Sequence, residues 1–353
     1  MRGERRQKEG LMLKISGWMV AGLMTVAGVA GAQTSSPKVP AAAPLQMESL
    51  DAASKADPFP AVNPKFFTAA TPTVDTVNSF LKALWGFDPN RMWRVEAIQT
   101  TQAPNVSKVV VFVSERGATA KVQNTAFFVL PDGAHALAGD TVVAFGPTPF
   151  AATRKMLQER ADGPTRGAAS KDFMLVEFAD LQCPHCKEAQ STMEQLVKDF
   201  PNARVVYQSY PLVDIHPFAF KAAAYGVCVA KQKNDAYPAY AAAVYDSQAA
   251  LTPETGDQTL KDAVTKAGLD ATAIDACAST QATKDTVNAS IKLAQDAGVD
   301  QTPTLAVNGR VLAISQIPYD TLKTLVAFQA SLDGVTGATG PGTSTFKVPT
   351  LSK

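Results

Sequence analysis

Cysteine, histidine and charge are all scarce in this chain of 353 residues, which has four cysteines, three histidines and 18% charged residues. Four cysteines in so long a chain exclude a disulfide-dense mini-scaffold. Neither sign of charge is in excess, with 33 Lys plus Arg against 32 Asp plus Glu, so nothing attracts nucleic acid electrostatically. Internal repeats are lacking, and the composition excludes collagen-like, wholly disordered and multi-span membrane chains. What remains is 46% hydrophobic residues and a length suited to about two domains.

The charge balance divides along the chain. Arg2, Arg5, Arg6, Lys8 and Lys14 precede an apolar run over 15–30 that ends in Ala30-Gly31-Ala32. This basic, then apolar, then small-residue order reads as a secretory signal over 1–32, with Met12 as a second possible start. An uncleaved membrane anchor is the alternative, since about 17 apolar residues can just span a bilayer. Removing 1–32 takes away five basic and two acidic residues and leaves 28 against 30, a net charge of −2. A periplasmic or secreted protein without nucleic-acid partners is expected.

Residues 33–64 are rich in Pro, Ala and Ser and read as a flexible linker. A small α+β domain is expected over 65–160. Thr71-Pro72 would cap a helix carrying Val74, Val77, Phe80, Leu81, Leu84 and Trp85 at helical spacing. Strands are expected at 108–114, 124–130, 134–137 and 141–145, and a helix from Thr148-Pro149 to Arg160. Two glycines, a proline and a serine over 161–171 suggest a hinge.

The second domain is expected over 172–333, with 334–353 an aperiodic tail. Residues 173–179 form a nearly continuous apolar run, as in a parallel strand covered on both faces. A helix and a strand at 203–208 complete a strand-helix-strand unit. A long Ala-rich helical region follows, then a hairpin turning at Asn308-Gly309 and a closing helix over 319–332.

The chemistry sits in Cys183-Pro184-His185-Cys186, between the apolar strand and the following helix. Only a thiolate attacks a disulfide, and a helix N-terminus stabilises one at Cys183. A protonated His185 would add positive charge beside it, lowering its pKa and favouring the reduced form, which makes the disulfide a stronger oxidant. Cys186, one turn on, would be the buried resolving thiol. A half-built zinc site or an inert bridge are the bland alternatives, and no second Cys/His cluster is at hand to complete a zinc site. Glu177 stands within the apolar strand, where an unpaired carboxylate is costly and its pKa rises. It could relay a proton to or from Cys186, unless it is a strand-end residue facing water. Thr302-Pro303 opens a strand, where a cis-proline could hold the chain beside the cysteines, or an ordinary proline could simply start the strand.

Glu177, the Cys-Pro-His-Cys centre and Thr302-Pro303 together resemble the DsbA-like branch of the thioredoxin superfamily. The resemblance implies an α/β thioredoxin fold with an inserted helical domain over about 216–297. It also implies that Cys183 is an exposed nucleophile, that Pro303 is cis and that no dissociable cofactor is needed. Threonine before the proline departs from the best-known oxidase and occurs in isomerase-type relatives. Cys228 and Cys277, both in the insert, would be a structural disulfide as in several DsbA-like proteins, or else two buried thiols. His135 and His216 are read as caps or packed rings. The layout of the first domain resembles the dimerisation domain of DsbC-like isomerases, which would make a homodimer; a fused accessory domain is the rival.

These readings converge on a thiol-disulfide oxidoreductase introducing disulfides into unfolded or misfolded exported proteins and reoxidised by a membrane redox partner. A dimeric isomerase or reductase on the same fold is the alternative. A non-catalytic binding or zinc-carrying module is the remote one.

Overall fold

A computed structural model of the protein describes residues 58–117 and 121–336. The expected signal over 1–32, the linker up to residue 57 and the tail from 337 lie outside the described residues. Among the described residues no helix is long and apolar enough to cross a membrane.

The first α-helix among the described residues, α1 (Val74–Trp85), is capped by Thr73, whose hydroxyl accepts from the Thr76 amide. The expected cap at Thr71-Pro72 is therefore displaced by two residues. The carbonyl of Thr71 is held by the Ser107 hydroxyl at 2.6 Å, which ties that segment to the sheet instead. That sheet is an antiparallel meander of β1 (Arg91–Thr100), β2 (Ser107–Glu115), β3 (Gln123–Val129), β4 (His135–Ala138) and β5 (Thr141–Ala144). Alternate residues Val109, Val111, Phe127 and Val129 face α1, where they bury Val77, Phe80 and Leu81. Strand β1 had no counterpart among the expected strands. A bulge between Val95 and Ala97 interrupts its two-residue alternation, leaving Val95 to Ile98 buried in succession.

Helix α2 (Ala151–Arg160) leads to the second sheet, ordered β10-β9-β7-β8-β6. Its strands are β6 (Thr165–Gly167), β7 (Met174–Ala179), β8 (Arg204–Ser209), β9 (Thr304–Val307) and β10 (Arg310–Ala313). Only β7 and β8 run parallel, joined through α3 (Pro184–Asp199). Every residue of β7 is buried, because α3 and α9 (Tyr319–Leu332) cover one face of the sheet. Helices α2 and α8 (Gln281–Asp296) cover the other. Between β8 and β9 stand α4 (Ala219–Gln232), α5 (Tyr237–Asp246), α6 (Gly256–Lys266) and α7 (Ala271–Ala278), ahead of α8. Their shared core holds Tyr225, Tyr240 and Tyr245. The fold is α/β with a helical insert, the class expected.

The segment 161–171, where a hinge is expected, carries a strand. Strand β6 lies within it and pairs with β8, and Thr165 exchanges two hydrogen bonds with the Asn234 side chain, at 2.9 and 2.8 Å. Its glycines serve close approach rather than flexibility: a Cβ on Gly163 would stand 1.9 Å from the Tyr207 carbonyl oxygen, and one on Gly167 2.2 Å from that of Ala203.

Candidate functional site

The apolar run of β7 delivers the chain to a tight turn, and Cys183 becomes the N-cap of α3 with Pro184 in its first turn. Proline is favoured there because the first helical amide has no partner in any case. Both cysteines are free thiols. Cys186 is fully buried, and its sulfur accepts from the Asp180 amide at 3.4 Å.

Cys183 is held well below the ordinary thiol range, at about 5. The Cys186 side chain hydrogen-bonding to it is the largest cause, followed among the stabilising contacts by Thr302 and the amides of Cys186 and His185, while burial opposes them. That Thr302 contact is with its side chain; separately, the thiol donates to the Thr302 carbonyl oxygen 3.7 Å from the sulfur, which favours the protonated form. Burial first, and then the neighbouring Cys183, push Cys186 strongly upward. One sulfur is thus set to be a thiolate and the other to keep its proton.

Two expectations change here. Cys183 is only 4% exposed rather than an exposed nucleophile. Its sulfur points to the Thr302 carbonyl, and its own carbonyl is held by the Gln248 side chain at 2.9 Å. Exposure belongs instead to Pro184 and His185. The His185 ring is turned to Glu188, with Nδ1 3.0 Å from Oε2, and that carboxylate is the main cause of its raised pKa. What His185 gives Cys183 is its backbone amide, together with a charge attraction from the ring that also helps to raise the His185 pKa.

Glu177 is buried in β7, and the Gln190 side chain donates to its Oε1 at 3.3 Å. Burial raises its pKa to about 7, against the pull of Arg166 and Gln190. It lines a cavity of about 290 Å3 together with Tyr207, Tyr237 and Tyr245. The Thr302-Pro303 peptide is cis, and both residues are buried beside the cysteines. Cys228 and Cys277 are bonded, with S–S 2.00 Å, and join α4 to α7. His135 pairs with Asp132 beside an exposed turn.

Asp180 and His216 had not been singled out as site residues. The buried Asp180 carboxylate accepts from the Gln182 amide at 2.7 Å, the Leu212 amide at 2.8 Å and His216 Nδ1 at 2.8 Å. A carboxylate closing an apolar strand, three residues before Cys183, was the available signal. Its partner 36 residues away was not. Among the described residues no group of three His, Cys, Asp or Glu side chains could hold a metal ion.

In comparisons with known proteins, 58 residues are 40% identical to the Na(+)/H(+) antiporter NhaA 1 of Salinispora arenicola, covering 16% of this chain and 9% of that protein. Over 67 residues the chain is 36% identical to NhaA 3 of Salinispora tropica, covering 19% and 10%. The chain therefore spans about a tenth of the length of these curated relatives. Among solved structures, ScsC of Proteus mirabilis is 22% identical with a TM-score of 0.44, over 52% of this chain and 79% of that one. A thioredoxin-like oxidoreductase of Silicibacter pomeroyi is 24% identical with a TM-score of 0.42, over 49% and 95%. BdbD of Bacillus subtilis is 19% identical with a TM-score of 0.42, over 48% and 93%. A family model described as thioredoxin matches residues 159–327, the stretch that carries the second sheet, its helical insert and the paired cysteines. By that match, the stretch is similar to the thioredoxin family.

Proposed function

We propose that the Cys183-Pro184-His185-Cys186 centre exchanges disulfides with exported proteins, in the oxidising direction. The observation that carries this reading is the unequal pair of sulfurs, Cys183 held at about 5 and Cys186 pushed up. A stabilised thiolate is a good leaving group and favours the reduced centre, so the disulfide is a strong oxidant.

In the first step, a client thiolate attacks the Cys183 sulfur of the Cys183–Cys186 disulfide. A client–Cys183 bond forms, and Cys186 leaves and takes up a proton. Glu177, buried in the strand that leads to the centre and near 7, is suited to supply that proton. A second client thiolate then attacks the client sulfur and expels Cys183 as a thiolate. The client loses two electrons, the centre gains them, and a membrane redox partner has to take them away before the next cycle.

Two further features support export. The basic, apolar and small-residue order of residues 1–32 is that of a secretory signal. A fixed Cys228–Cys277 disulfide suits an oxidising compartment. Equilibrating the protein with glutathione buffers and then supplying a reduced, unfolded ribonuclease tests the reading. An equilibrium favouring the dithiol, with stoichiometric oxidation of the client, is expected. A centre that rests as a dithiol, has a low potential and acts only on scrambled disulfides would make the protein an isomerase or reductase.

A further inference from the structure

Asp180 touches both cysteines through its main chain. Its amide donates to the Cys186 sulfur at 3.4 Å, and its carbonyl accepts from the Cys183 amide at 3.1 Å. The orientation of this one residue therefore sets where both sulfurs stand. Its side chain has no solvent exposure, and a buried carboxylate is costly unless donors surround it. Two of its three donors, the amides of Gln182 and Leu212, come from the backbone. The third, His216 Nδ1, is the only side chain among them and comes from the segment that opens the helical insert.

Accordingly, we propose that His216 is a positioning residue for the redox centre, acting through the Asp180 carboxylate and never touching a sulfur. The proposal rests on the disulfide-exchange reading of the centre. Removing the ring leaves the buried carboxylate one donor short. Asp180 then turns, its amide moves from the Cys186 sulfur, and the Cys186 S–H no longer lies squarely on the Cys183 thiolate. The reduced centre loses stabilisation and the protein becomes a weaker oxidant.

Geometry supplies the controls. An asparagine amide nitrogen stands where Nδ1 of the ring stands, whereas that of glutamine stands where Nε2 does. His216→Asn therefore keeps the donor to Asp180, and His216→Gln and His216→Ala lose it.

The test measures the glutathione equilibrium constant and the pH profile of Cys183 alkylation on the full chain for wild type and the three variants. His216→Ala and His216→Gln are expected to shift the constant at least fivefold toward the disulfide and to raise the alkylation midpoint. His216→Asn is expected to stay within twofold of wild type. If His216→Ala does not fold, the comparison of His216→Gln with His216→Asn carries the test. A constant within twofold of wild type in both donor-less variants overturns the proposal, and so does a His216→Asn shift as large as theirs. A wild-type protein that fails to exchange with glutathione at all overturns the functional reading, and this proposal with it.

Discussion

Arg310, buried on β10, donates to the carbonyl oxygen of Ala83 near the end of α1 at 2.9 Å and to that of Leu84 at 2.5 Å. A helix end leaves its last carbonyls without partners, and here a cation from the second sheet supplies them. The rings of Phe87 and Phe150 lie 5.1 and 5.2 Å from the guanidinium. Burial lowers its pKa to about 10, which still leaves it charged at neutral pH. Arg310→Ala is expected to cost about 2–4 kcal/mol, since it strands one buried and one half-buried carbonyl and removes the ring contacts. Urea unfolding measures the loss. A cost below about 1 kcal/mol would show that this joint between the two sheets is loose.

Cys186 does two jobs for Cys183, as bonding partner in the disulfide and as hydrogen-bond donor in the dithiol. Replacing it separates them. Cys186→Ser keeps a donor and is expected to hold the Cys183 alkylation midpoint low, near the wild-type value of about 5. Cys186→Ala removes the largest stabilising contact and is expected to move the midpoint up by about a unit or more. Equal midpoints in the two variants would return the main role to the amides at the start of α3.

Glu177 imposes a pH dependence whose sign can be stated. Its pKa is raised from 4.5 to about 7 by burial, opposed by Arg166 and the Gln190 side chain and assisted by Glu194. Between those values the folded chain holds more protons than the unfolded chain, so stability falls as pH rises through that window. The loss amounts to about 3 kcal/mol and is complete above the upper value. With the centre locked as a disulfide, so that neither cysteine titrates, Glu177→Gln is expected to remove this decline and be the more stable protein at pH 8. Parallel stability curves for the two proteins would mean that Glu177 is not the group responsible.

How much of this was legible in the sequence depends on whether a signal is local. Cys183, Cys186, Glu177 and Thr302-Pro303 announced themselves because each breaks or punctuates a run of regular pattern, and the structure brings Cys183 and Thr302 into contact. The Arg310 joint and the Asp180–His216 pair were invisible, since both depend on partners far apart in sequence. For His185 the main partner of the ring was not legible either, although its charge does reach Cys183. Its place between the cysteines suggested charge aimed at Cys183, but the helix sets Glu188 three residues on, on the same face, and the ring turns there.

The 161–171 segment shows the same limit for glycine. Composition cannot tell a glycine that bends from one that lets two backbones meet. The structure makes Gly163 the second kind, with the Tyr207 carbonyl oxygen 1.9 Å from where a Cβ would stand. Gly163→Ala is expected to lower stability by about 1–3 kcal/mol, the usual range for overpacking a close contact. A true hinge glycine would tolerate alanine nearly free of cost in the same urea titration.

The Cys228–Cys277 disulfide separates structural sulfur from reactive sulfur within one domain. It closes 49 residues and ties α4 to α7, with Cys228 in the tyrosine-rich core of the insert. Shortening the unfolded chain by a loop of that length is worth roughly 4 kcal/mol in the chain-entropy account. Replacing both cysteines by serine is therefore expected to lower stability by about 2–4 kcal/mol. The pH profile of Cys183 alkylation should stay unchanged, because neither sulfur is among the groups that set Cys183. Were the double variant to lose the low midpoint as well, the insert would have to be counted as part of the machinery that positions the centre. The His216 anchor would then be only one of several ties between the insert and the cysteines, beside the Gln248 side chain on the Cys183 carbonyl and the Gln182 side-chain oxygen accepting from the Phe218 amide.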